Sequence, residues 1–316
     1  MEYRTLGRTG VKVSALAYGG SSLGNAFRDI DESEGLRSVH VALDNGINLI
    51  DTAPYYGATL AETVLGKALR GIARDRYVLA TKVARYGPEP KDFDFSADRV
   101  IRSVDESLAR LGVDYVDFIQ VHDMEFGNLS QIIHETVPAL RKVQAAGKAR
   151  FVGITGLHVG IFRTVMEAVD VDQIQSYCHY CLNDDALAGE LDFLQSKGVG
   201  IFNSAPLAMR LLTNEGPPAW HPAPPALREK CAEAAEFCRK QGADLGQLAL
   251  QFSMQNPAIH THIVGTASPE RVLENIRVAS LKPDPALLSA VLEILRPVHN
   301  TTWFSGIPEN NTNIAC

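Results

Sequence analysis

The stretch INLIDTAPYYG, residues 47–57, begins like a buried strand and ends on chemically active side chains. Its apolar residues stop at Asp51, and Tyr55 and Tyr56 follow in the next loop. Polar residues at the point where a strand gives way to a loop are often functional, because loops carry chemistry on a rigid scaffold. What this carboxylate and these phenols can do depends on which residues the rest of the chain brings beside them.

The same order, a short apolar run and then an amphipathic stretch, recurs eight times along the chain. The runs do not alternate strictly, which is typical of parallel strands covered on both faces. The predicted strands are residues 14–19, 47–53, 77–83, 115–122, 151–155, 173–177, 199–204 and 262–265. The predicted helices are residues 32–45, 61–70, 97–111, 129–146, 159–169, 184–196, 226–240 and 269–279. Eight units without a linker predict an α/β fold, a single (β/α)8 TIM barrel domain over residues 1–316.

Two additions fit this scheme at the chain ends. Residues 1–14 predict an N-terminal β-hairpin that turns at residues 8–10, and residues 284–295 predict an extra C-terminal helix. Ser96 is predicted to cap the helix that follows it. Glycines directly after predicted helices mark their C-terminal ends, and these are Gly46, Gly112, Gly147, Gly198 and Gly242.

Composition excludes several classes of protein. The net charge of −7 argues against nucleic acid or an anionic membrane as the main partner. The N-terminus lacks the apolar core of a secretory signal, and no stretch is apolar enough to span a bilayer. We therefore expect a cytoplasmic protein with reduced cysteines and no evident obligate protein partner. Cys178 and Cys181 have the spacing of a metal or redox pair, but no second pair completes a zinc site, so no metal is expected.

Three successive predicted strands end on polar side chains: Asp51, Lys82 and His122. In a barrel these ends meet at one mouth, where barrel enzymes carry their sites, and Tyr56 can lean over the same point. A free phenol has a pKa near ~10, too high for a base at neutral pH. We expect the Lys82 ammonium to lower the pKa of Tyr56, Asp51 to hold that ammonium, and His122 to orient a substrate oxygen. The set predicts acid–base catalysis by Tyr56, typically worth about 10²–10⁴ in rate.

Each of these residues also has an ordinary structural explanation. Asp51 could cap a turn, Lys82 could extend to solvent, and His122 could be a satisfied core histidine. Their convergence from three neighbouring strands favours the functional interpretation. Asp123, next to His122, suggests a metal ligand, but adjacent side chains on a strand point to opposite faces.

The remaining strand ends predict a shelf for an extended ligand. The fifth strand ends with Thr155 and Gly156, the sixth offers Gln175 as an amide partner, and the seventh leads into Ser204. The eighth leads through residues 265–268 into a helix whose N-terminus can receive a phosphate. Arg271 and Glu274 project from that helix, and their spacing is also that of a plain surface ion pair.

Set in DTAPYYG, TKV and QVHD, the four residues Asp51, Tyr56, Lys82 and His122 resemble the aldo-keto reductase superfamily along nearly the whole chain. The resemblance implies a nicotinamide cofactor that lies across the barrel mouth, with Tyr56, not Tyr55, as the acid–base residue. The cofactor-binding residues that it implies are Thr155, Gln175, Ser204, Ala205, Pro206, Leu207, Gly265, Thr266, Ala267, Ser268, Arg271, Glu274 and Asn275.

Three positions depart from the pattern of the superfamily. Gly156 stands where many of these reductases have asparagine, and Ser204 where many have a tyrosine that stacks on the nicotinamide. Members that prefer NADP commonly have a lysine at the position of Gly265, where it grips the 2′-phosphate. Without that cation, and with Glu274 available to a free ribose hydroxyl, the prediction is NAD, with NADP weaker because Arg271 remains.

Several loops, such as HDMEFGNL and NTTWFSGI, resemble members of the superfamily that oxidise the sugar L-galactose at C1 in ascorbate biosynthesis. The implied product is L-galactonolactone. The candidates for sugar contacts are Arg85, Tyr86, Asp123, His179, Trp220 and Trp303. The alternatives are a broader aldose 1-dehydrogenase of the L-fucose type, a pyridoxal-type dehydrogenase, and a non-catalytic nicotinamide-binding regulator.

Overall fold

The eight predicted strands close into one parallel barrel in the computed structural model, which describes residues 1–26 and 29–311. The barrel strands are β3 (Leu16–Gly19), β4 (Leu49–Asp51), β5 (Val78–Val83), β6 (Val116–Val121), β7 (Ala149–Gly156), β8 (Gln173–Tyr177), β9 (Gly200–Ser204) and β10 (Thr261–Gly265). Each pairs in parallel with its neighbours in sequence, and β10 pairs with β3 to close the ring. The predicted fold class is confirmed.

The N-terminal hairpin closes the bottom of the barrel. It consists of β1 (Tyr3–Thr5) and β2 (Lys12–Ser14), which pair antiparallel. Between them Gly10 has a φ of 69°, the left-handed conformation that glycine adopts without steric cost. Leu6 is fully buried among the side chains inside the barrel, including Phe118 and Phe202. The hairpin therefore acts as a plug, and the opposite mouth is left open for chemistry.

Helices surround the barrel. They are α1 (Glu32–Asp44), α2 (Leu60–Leu69), α3 (Ala97–Leu111), α4 (Leu129–Gln131), α5 (Val137–Ala145), α6 (Val159–Ala168), α7 (Leu191–Ser196), α8 (Pro225–Lys240), α9 (Leu245–Met254), α10 (Pro269–Ala279) and α11 (Pro285–Leu295). All five glycine predictions hold: the glycines that follow α1, α3, α5, α7 and α8 are left-handed, with φ values from 64° to 90°. Ser96 occupies the predicted cap position of α3, but its side chain makes no cap bond. The Ala97 amide donates instead to Glu135 at 2.8 Å.

The sequence analysis missed α9 and gave its place in the ring to α8. In the structure α9 packs against α10, whereas α8 pairs with α11 outside the ring. Leu227 and Cys231 of α8 and Leu295 of α11 belong to a second apolar core separate from the main one. The missed helix contains Gly246 in its first turn, and glycine lowers helix propensity.

The predicted helix 129–146 is interrupted. A π-helical turn, Ile132–Thr136, separates α4 from α5. Pro138 lies in the first turn of α5 and has no amide hydrogen to continue the regular ladder. The Thr136 hydroxyl donates to the Phe95 carbonyl oxygen at 2.5 Å, which fixes the bulge against the loop before α3. A periodicity analysis reads this segment as continuous because its apolar face is preserved.

Over residues 1–26 and 29–311, no helix is both long and apolar enough to cross a membrane. Over the same ranges, no three His, Cys, Asp or Glu side chains are grouped so that they could hold a metal ion. Cys178, Cys181, Cys231 and Cys238 are buried free thiols, and Cys316 lies outside the described residues.

Four loops at the mouth have a left-handed residue other than glycine within two residues of the preceding strand. Ala84, Cys178 and Ala205 directly follow β5, β8 and β9, with φ values of 78°, 62° and 54°. Asp123 follows β6 by two residues, with a φ of 48°. Such residues are held in place at a cost of order 1–3 kcal/mol each. The mouth is therefore a region of stored backbone strain.

Candidate active site

A cleft of about 1460 Å³ opens at the C-terminal mouth of the barrel. It brings together the four predicted catalytic residues and most of the predicted cofactor residues. The predicted residues that line it are Asp51, Tyr56, Lys82, His122, Thr155, Gln175, Ser204, Ala205, Pro206, Leu207, Gly265, Thr266, Ala267, Ser268 and Arg271. The part of the cleft around Tyr56, His122 and Asp123 is called the substrate end below.

A buried ion pair forms the floor of the substrate end. The Lys82 ammonium donates to Oδ2 of Asp51 at 2.6 Å and to the Thr52 carbonyl oxygen at 2.8 Å. The two charged side chains are 1% and 3% exposed. Burial raises the pKa of the Asp51 carboxyl, and the Lys82 ammonium opposes that rise. The pair holds the Lys82 ammonium in a fixed position directly beneath the cleft.

Tyr56 stands above this pair, with the Lys82 ammonium 5.1 Å from the centre of its ring. Its pKa is raised well above the usual value, first by burial and then by the negative charges of Asp51 and Asp123. The expectation of a lowered pKa for Tyr56 is wrong for this structure. The ammonium is paired with Asp51, and the loss of water around the phenol outweighs it. Tyr56 is thus a protonated phenol at neutral pH.

His122 packs edge-on against Tyr56, with ring centres 5.7 Å apart at 89°. Burial lowers its pKa to about 3, and the Lys82 and Arg85 cations act in the same direction while Asp123 opposes them. The imidazole is therefore uncharged across the physiological range. Its Nδ1 is buried and has no hydrogen-bond partner among the described residues. An uncharged imidazole can donate one hydrogen bond and accept another, which suits a group that orients a substrate oxygen.

A second ion pair lies beside His122. The Arg85 guanidinium bonds to the Asp123 carboxylate and covers the ring of Tyr55 at 3.7 Å. The Asp123 amide donates to the Thr155 hydroxyl at 2.9 Å, which fixes the left-handed turn at Asp123. Arg85, Asp123 and Tyr55 all line the cleft. The substrate end therefore offers charged donors and acceptors next to an aromatic surface.

Comparison with known proteins agrees with this geometry. Residues 15–295 match the model of the aldo/keto reductase family. The chain belongs to the aldo/keto reductase family. It is 48% identical to L-galactose dehydrogenase of Arabidopsis thaliana, over 98% of this chain and 99% of that protein. It is 29% identical to D-threo-aldose 1-dehydrogenase of a Pseudomonas species, over 90% and 94% of the two chains. The solved holo form of an aldo-keto reductase from Bacillus halodurans superposes with a TM-score of 0.77, at 26% identity over 98% of this chain and 99% of that one.

Members of this family are oxidoreductases that use a nicotinamide cofactor, and the cleft has groups that fit one. The Gln175 amide nitrogen donates to the Ser204 hydroxyl at 2.7 Å. Its carbonyl oxygen is buried without a hydrogen-bond partner in the described part of the chain. That oxygen can accept from a carboxamide, the polar group that a nicotinamide carries. The residues present therefore suit a nicotinamide next to Tyr56.

The other end of the reductase cleft is narrow around Gly265. A side chain there would bring its Cβ within 2.9 Å of the Ser21 hydroxyl. Ser21 and Ser22 belong to the 3-10 turn Gly20–Gly24, which lines the cleft and which the sequence analysis missed. The sequence feature that could have indicated this turn is the run of glycine and serine residues after β3.

Two predicted cofactor residues of this reductase do not line the cleft. Glu274 accepts from Arg271 at 2.8 Å and from the Gln247 amide at 3.0 Å, so both of its oxygens face protein. Asn275 lies beside a small crevice behind β3 instead. Of the two, Glu274 is the nearer to the rim, because its partner Arg271 lines the cleft.

Of the residues predicted to contact the sugar, some line the cleft and others do not. Arg85, Asp123, Trp220 and Trp303 line the cleft. Tyr86 does not: its hydroxyl accepts from the Ala84 amide at 3.1 Å, and Arg99 covers its ring. His179 is also behind the wall, where it bonds to Asp184 at 2.9 Å. Both residues thus have structural partners outside the cleft.

Sequence reasoning also missed part of the wall at the substrate end. The missed lining residues are Tyr55, Phe126, Tyr177, Phe304, Ser305 and Gly306. Three of them come from the segment after α11 that folds back over the mouth. Its sequence, WFSGI, gives no periodic signal, so only the aromatic residues hinted at a contact with ligand.

Proposed function

We propose that this aldo/keto reductase oxidises L-galactose at C1 to L-galactonolactone, with NAD as the cofactor. One observation carries the proposal: Tyr56, an uncharged His122 and the buried Lys82–Asp51 pair meet at one end of a long cleft. The 48% identity to L-galactose dehydrogenase, over 98% and 99% of the two chains, supports this sugar as substrate. On the sequence alone, we place the reaction in the cytoplasm and in ascorbate biosynthesis, carried out by residues 1–316 as one domain.

The proposed roles follow from the geometry. NAD, when bound, supplies the site that accepts a hydride from C1 of the sugar. Tyr56 takes the proton from the hydroxyl on the same carbon, which requires that the phenol first lose its own proton. Lys82, 5.1 Å from the ring centre, favours the phenolate, and Asp51 keeps that ammonium in place. His122 holds the sugar hydroxyl within reach of Tyr56.

The preference for NAD rests on the rim of the cleft. A lysine at position 265 would have to displace Ser21, and the Arg271 guanidinium is already paired with Glu274 at 2.8 Å. Among the described residues, Arg210 also lines the cleft, but β10 supplies no cation to a 2′-phosphate and Arg271 is partly neutralised. Thr155 and Gln175 are proposed to hold the carboxamide, and Gly265–Ser268 the adenosine end.

The test is nicotinamide reduction followed by absorbance, with L-galactose, L-fucose, D-galactose and pyridoxal, each with NAD⁺ and with NADP⁺. Fast turnover confined to L-galactose and NAD⁺ supports the proposal. Comparable efficiency with NADP⁺ contradicts the cofactor preference. Tight NADH binding without turnover of any substrate would instead favour a nicotinamide-binding regulator.

A broader aldose dehydrogenase is the second candidate. The 29% identity to D-threo-aldose 1-dehydrogenase favours it, because that name covers several sugars of one configuration. L-Fucose is L-galactose without the 6-hydroxyl. A site that hydrogen-bonds this hydroxyl rejects fucose by as much as about 10⁴, whereas an apolar contact discriminates weakly. Equal rates on the two sugars would support the broader enzyme.

A further inference from the structure

Glu125 is a fully buried carboxyl group behind the wall of the substrate end. It lies in the 3-10 turn Met124–Phe126, three residues after His122. Its Oε1 accepts from the Tyr177 hydroxyl at 2.9 Å and from the Ser305 hydroxyl at 3.2 Å. Both donors line the cleft, so one carboxyl oxygen connects the end of β8 to the segment after α11.

The main chain of Glu125 anchors the same segment. Its carbonyl oxygen accepts from the Ile307 amide at 2.8 Å and from the Asn310 side-chain amide at 2.9 Å. Gly306 approaches so closely that a Cβ there would lie 2.0 Å from that oxygen. Residue 125 is therefore the attachment point of the C-terminal wall, which is defined here as residues 303–306.

The carboxyl also occupies space next to β7. A Cβ on Gly156 would lie 3.2 Å from Oε2 of Glu125 and 2.9 Å from Cδ1 of Ile161. Oε2 is buried and has no hydrogen-bond partner among the described residues. Glycine at 156 thus leaves room for the Glu125 carboxyl between β7 and the C-terminal wall.

The surroundings of Glu125 favour its uncharged form. Burial, and then the negative charge of Asp123, raise its pKa to about 8. Among the described residues, Tyr177, Arg85 and His158 also face this region; the Arg85 cation is engaged by Asp123, and burial lowers the pKa of His158. A neutral carboxyl can stay buried without a counter-ion, which an ionised one does only at a large cost.

We propose that Glu125, in its uncharged form, is a positioning residue that holds Tyr177 and the C-terminal wall in place for the sugar. The proposal rests on the proposed function, because it takes the sugar to bind between this wall and Tyr56. Ionisation of Glu125 places a second negative charge beside Asp123 in a dry site. The wall then loosens, and sugar binding weakens while the cofactor end of the cleft stays intact.

The experiment compares Glu125→Gln and Glu125→Ala with the wild type, using L-galactose and NAD⁺ at pH 7 and pH 9. Glu62→Gln is the matched control. Glu62 is an equally buried glutamate on the outer side of the barrel, where it bonds to Thr81 and Arg110 away from the cleft. Each protein is measured for KM of the sugar, kcat, and Kd of NADH by fluorescence.

We expect Glu125→Ala to raise KM about tenfold at pH 7, the loss expected when two hydrogen bonds are removed, with Kd of NADH unchanged. Glutamine keeps the shape and polarity of the uncharged carboxyl. Glu125→Gln should therefore keep the wild-type KM at pH 7 and lose the rise in KM that the wild type shows by pH 9. A glutamine variant that keeps that rise, or an alanine variant with the wild-type KM, overturns the proposal.

Tyr177→Phe and Ser305→Ala provide a second test that does not depend on the folding of Glu125→Ala. Each removes one hydrogen bond to Oε1, and we expect each to raise KM by about 2- to 10-fold at pH 7. In the Glu125→Gln background each should raise KM at pH 7 by the same factor as it does alone, because glutamine keeps the acceptor oxygen. A wild-type KM in both single variants overturns the proposal. A wild type that turns over no sugar refutes the proposed function itself, which is a separate outcome.

Discussion

Removing one member of the buried Lys82–Asp51 pair should destabilise the protein more than removing both. The ammonium and carboxylate are 2.6 Å apart, and their side chains are 1% and 3% exposed. Lys82→Met leaves a carboxylate in that site without its counter-ion, at a cost of about 3–5 kcal/mol. Asp51→Asn leaves an ammonium there, for which the Thr52 carbonyl oxygen at 2.8 Å compensates in part. The double variant leaves no buried charge, so its free energy of unfolding should fall less than that of Lys82→Met.

The assay is urea unfolding of the three variants and the wild type between pH 5 and pH 8. Burial already raises the pKa of Asp51, and removal of Lys82 raises it further. A carboxyl whose folded pKa lies above its unfolded value near ~3.9 lowers stability as pH rises between those two values. The difference in free energy of unfolding between the wild type and Lys82→Met should therefore grow with pH, by up to about 1.4 kcal/mol per pH unit. Asp51→Asn and the double variant carry no carboxyl at this position and should show no such slope.

Two results would refute this reasoning. If Lys82→Met and the double variant have equal free energies of unfolding at every pH, the unpaired Asp51 charge does not destabilise the folded state. If Lys82→Met costs less than about 1 kcal/mol, the pair behaves as a surface ion pair and the site is wet. Turnover, measured in parallel, should fall in all three variants, because each disturbs the ammonium beneath Tyr56.

Three further predictions concern the mouth. Tyr56→Phe should lower kcat by about 10²–10⁴ and leave Kd of NADH unchanged by fluorescence titration, since only the proton acceptor is lost. In the wild type, kcat for sugar oxidation should rise with pH from 7 to 9, because the pKa of Tyr56 is raised, and His122, with a pKa of about 3, should add no limb between pH 5 and 9. Gly306→Ala should cost about 1–3 kcal/mol in urea and raise KM, because residue 306 has a φ of 81° and a Cβ there meets the Glu125 carbonyl oxygen. Wild-type behaviour of the first or last variant, or a flat pH profile, would contradict the corresponding assignment.

Much of the barrel and the positions of the proposed catalytic residues could be predicted, because both depend on local sequence. A strand buried on two faces appears as a continuous apolar run, and a polar residue at its end is visible without a structure. Asp51, Lys82 and His122 were found in this way, and the closed barrel brings them together. The same logic failed for Tyr86 and His179, because a loop sequence does not reveal which side chains turn away from the mouth.

What the sequence analysis missed depends on long-range contacts. Glu125 and Ser305 are hydrogen-bonded across 180 positions, and no periodic pattern links them. The sign of the pKa shift at Tyr56 was also wrong, because it depends on how much water the folded chain removes from the phenol. The helix at 245–254 was missed for a local reason, a glycine in its first turn.

The left-handed residues at the mouth have a consequence for engineering this enzyme. Ala84, Asp123, Cys178 and Ala205 have backbone conformations that β-branched residues enter only with severe strain. A substitution library that treats them as freely variable will lose most of its members before any substrate is tested. Glycine at Ala84 or Ala205 would relieve the strain and raise thermal tolerance, but it would also let the loop explore other shapes. Libraries aimed at new sugars are therefore better directed at Tyr55, Trp220 and Phe304, whose side chains line the cleft and whose main chain is not left-handed.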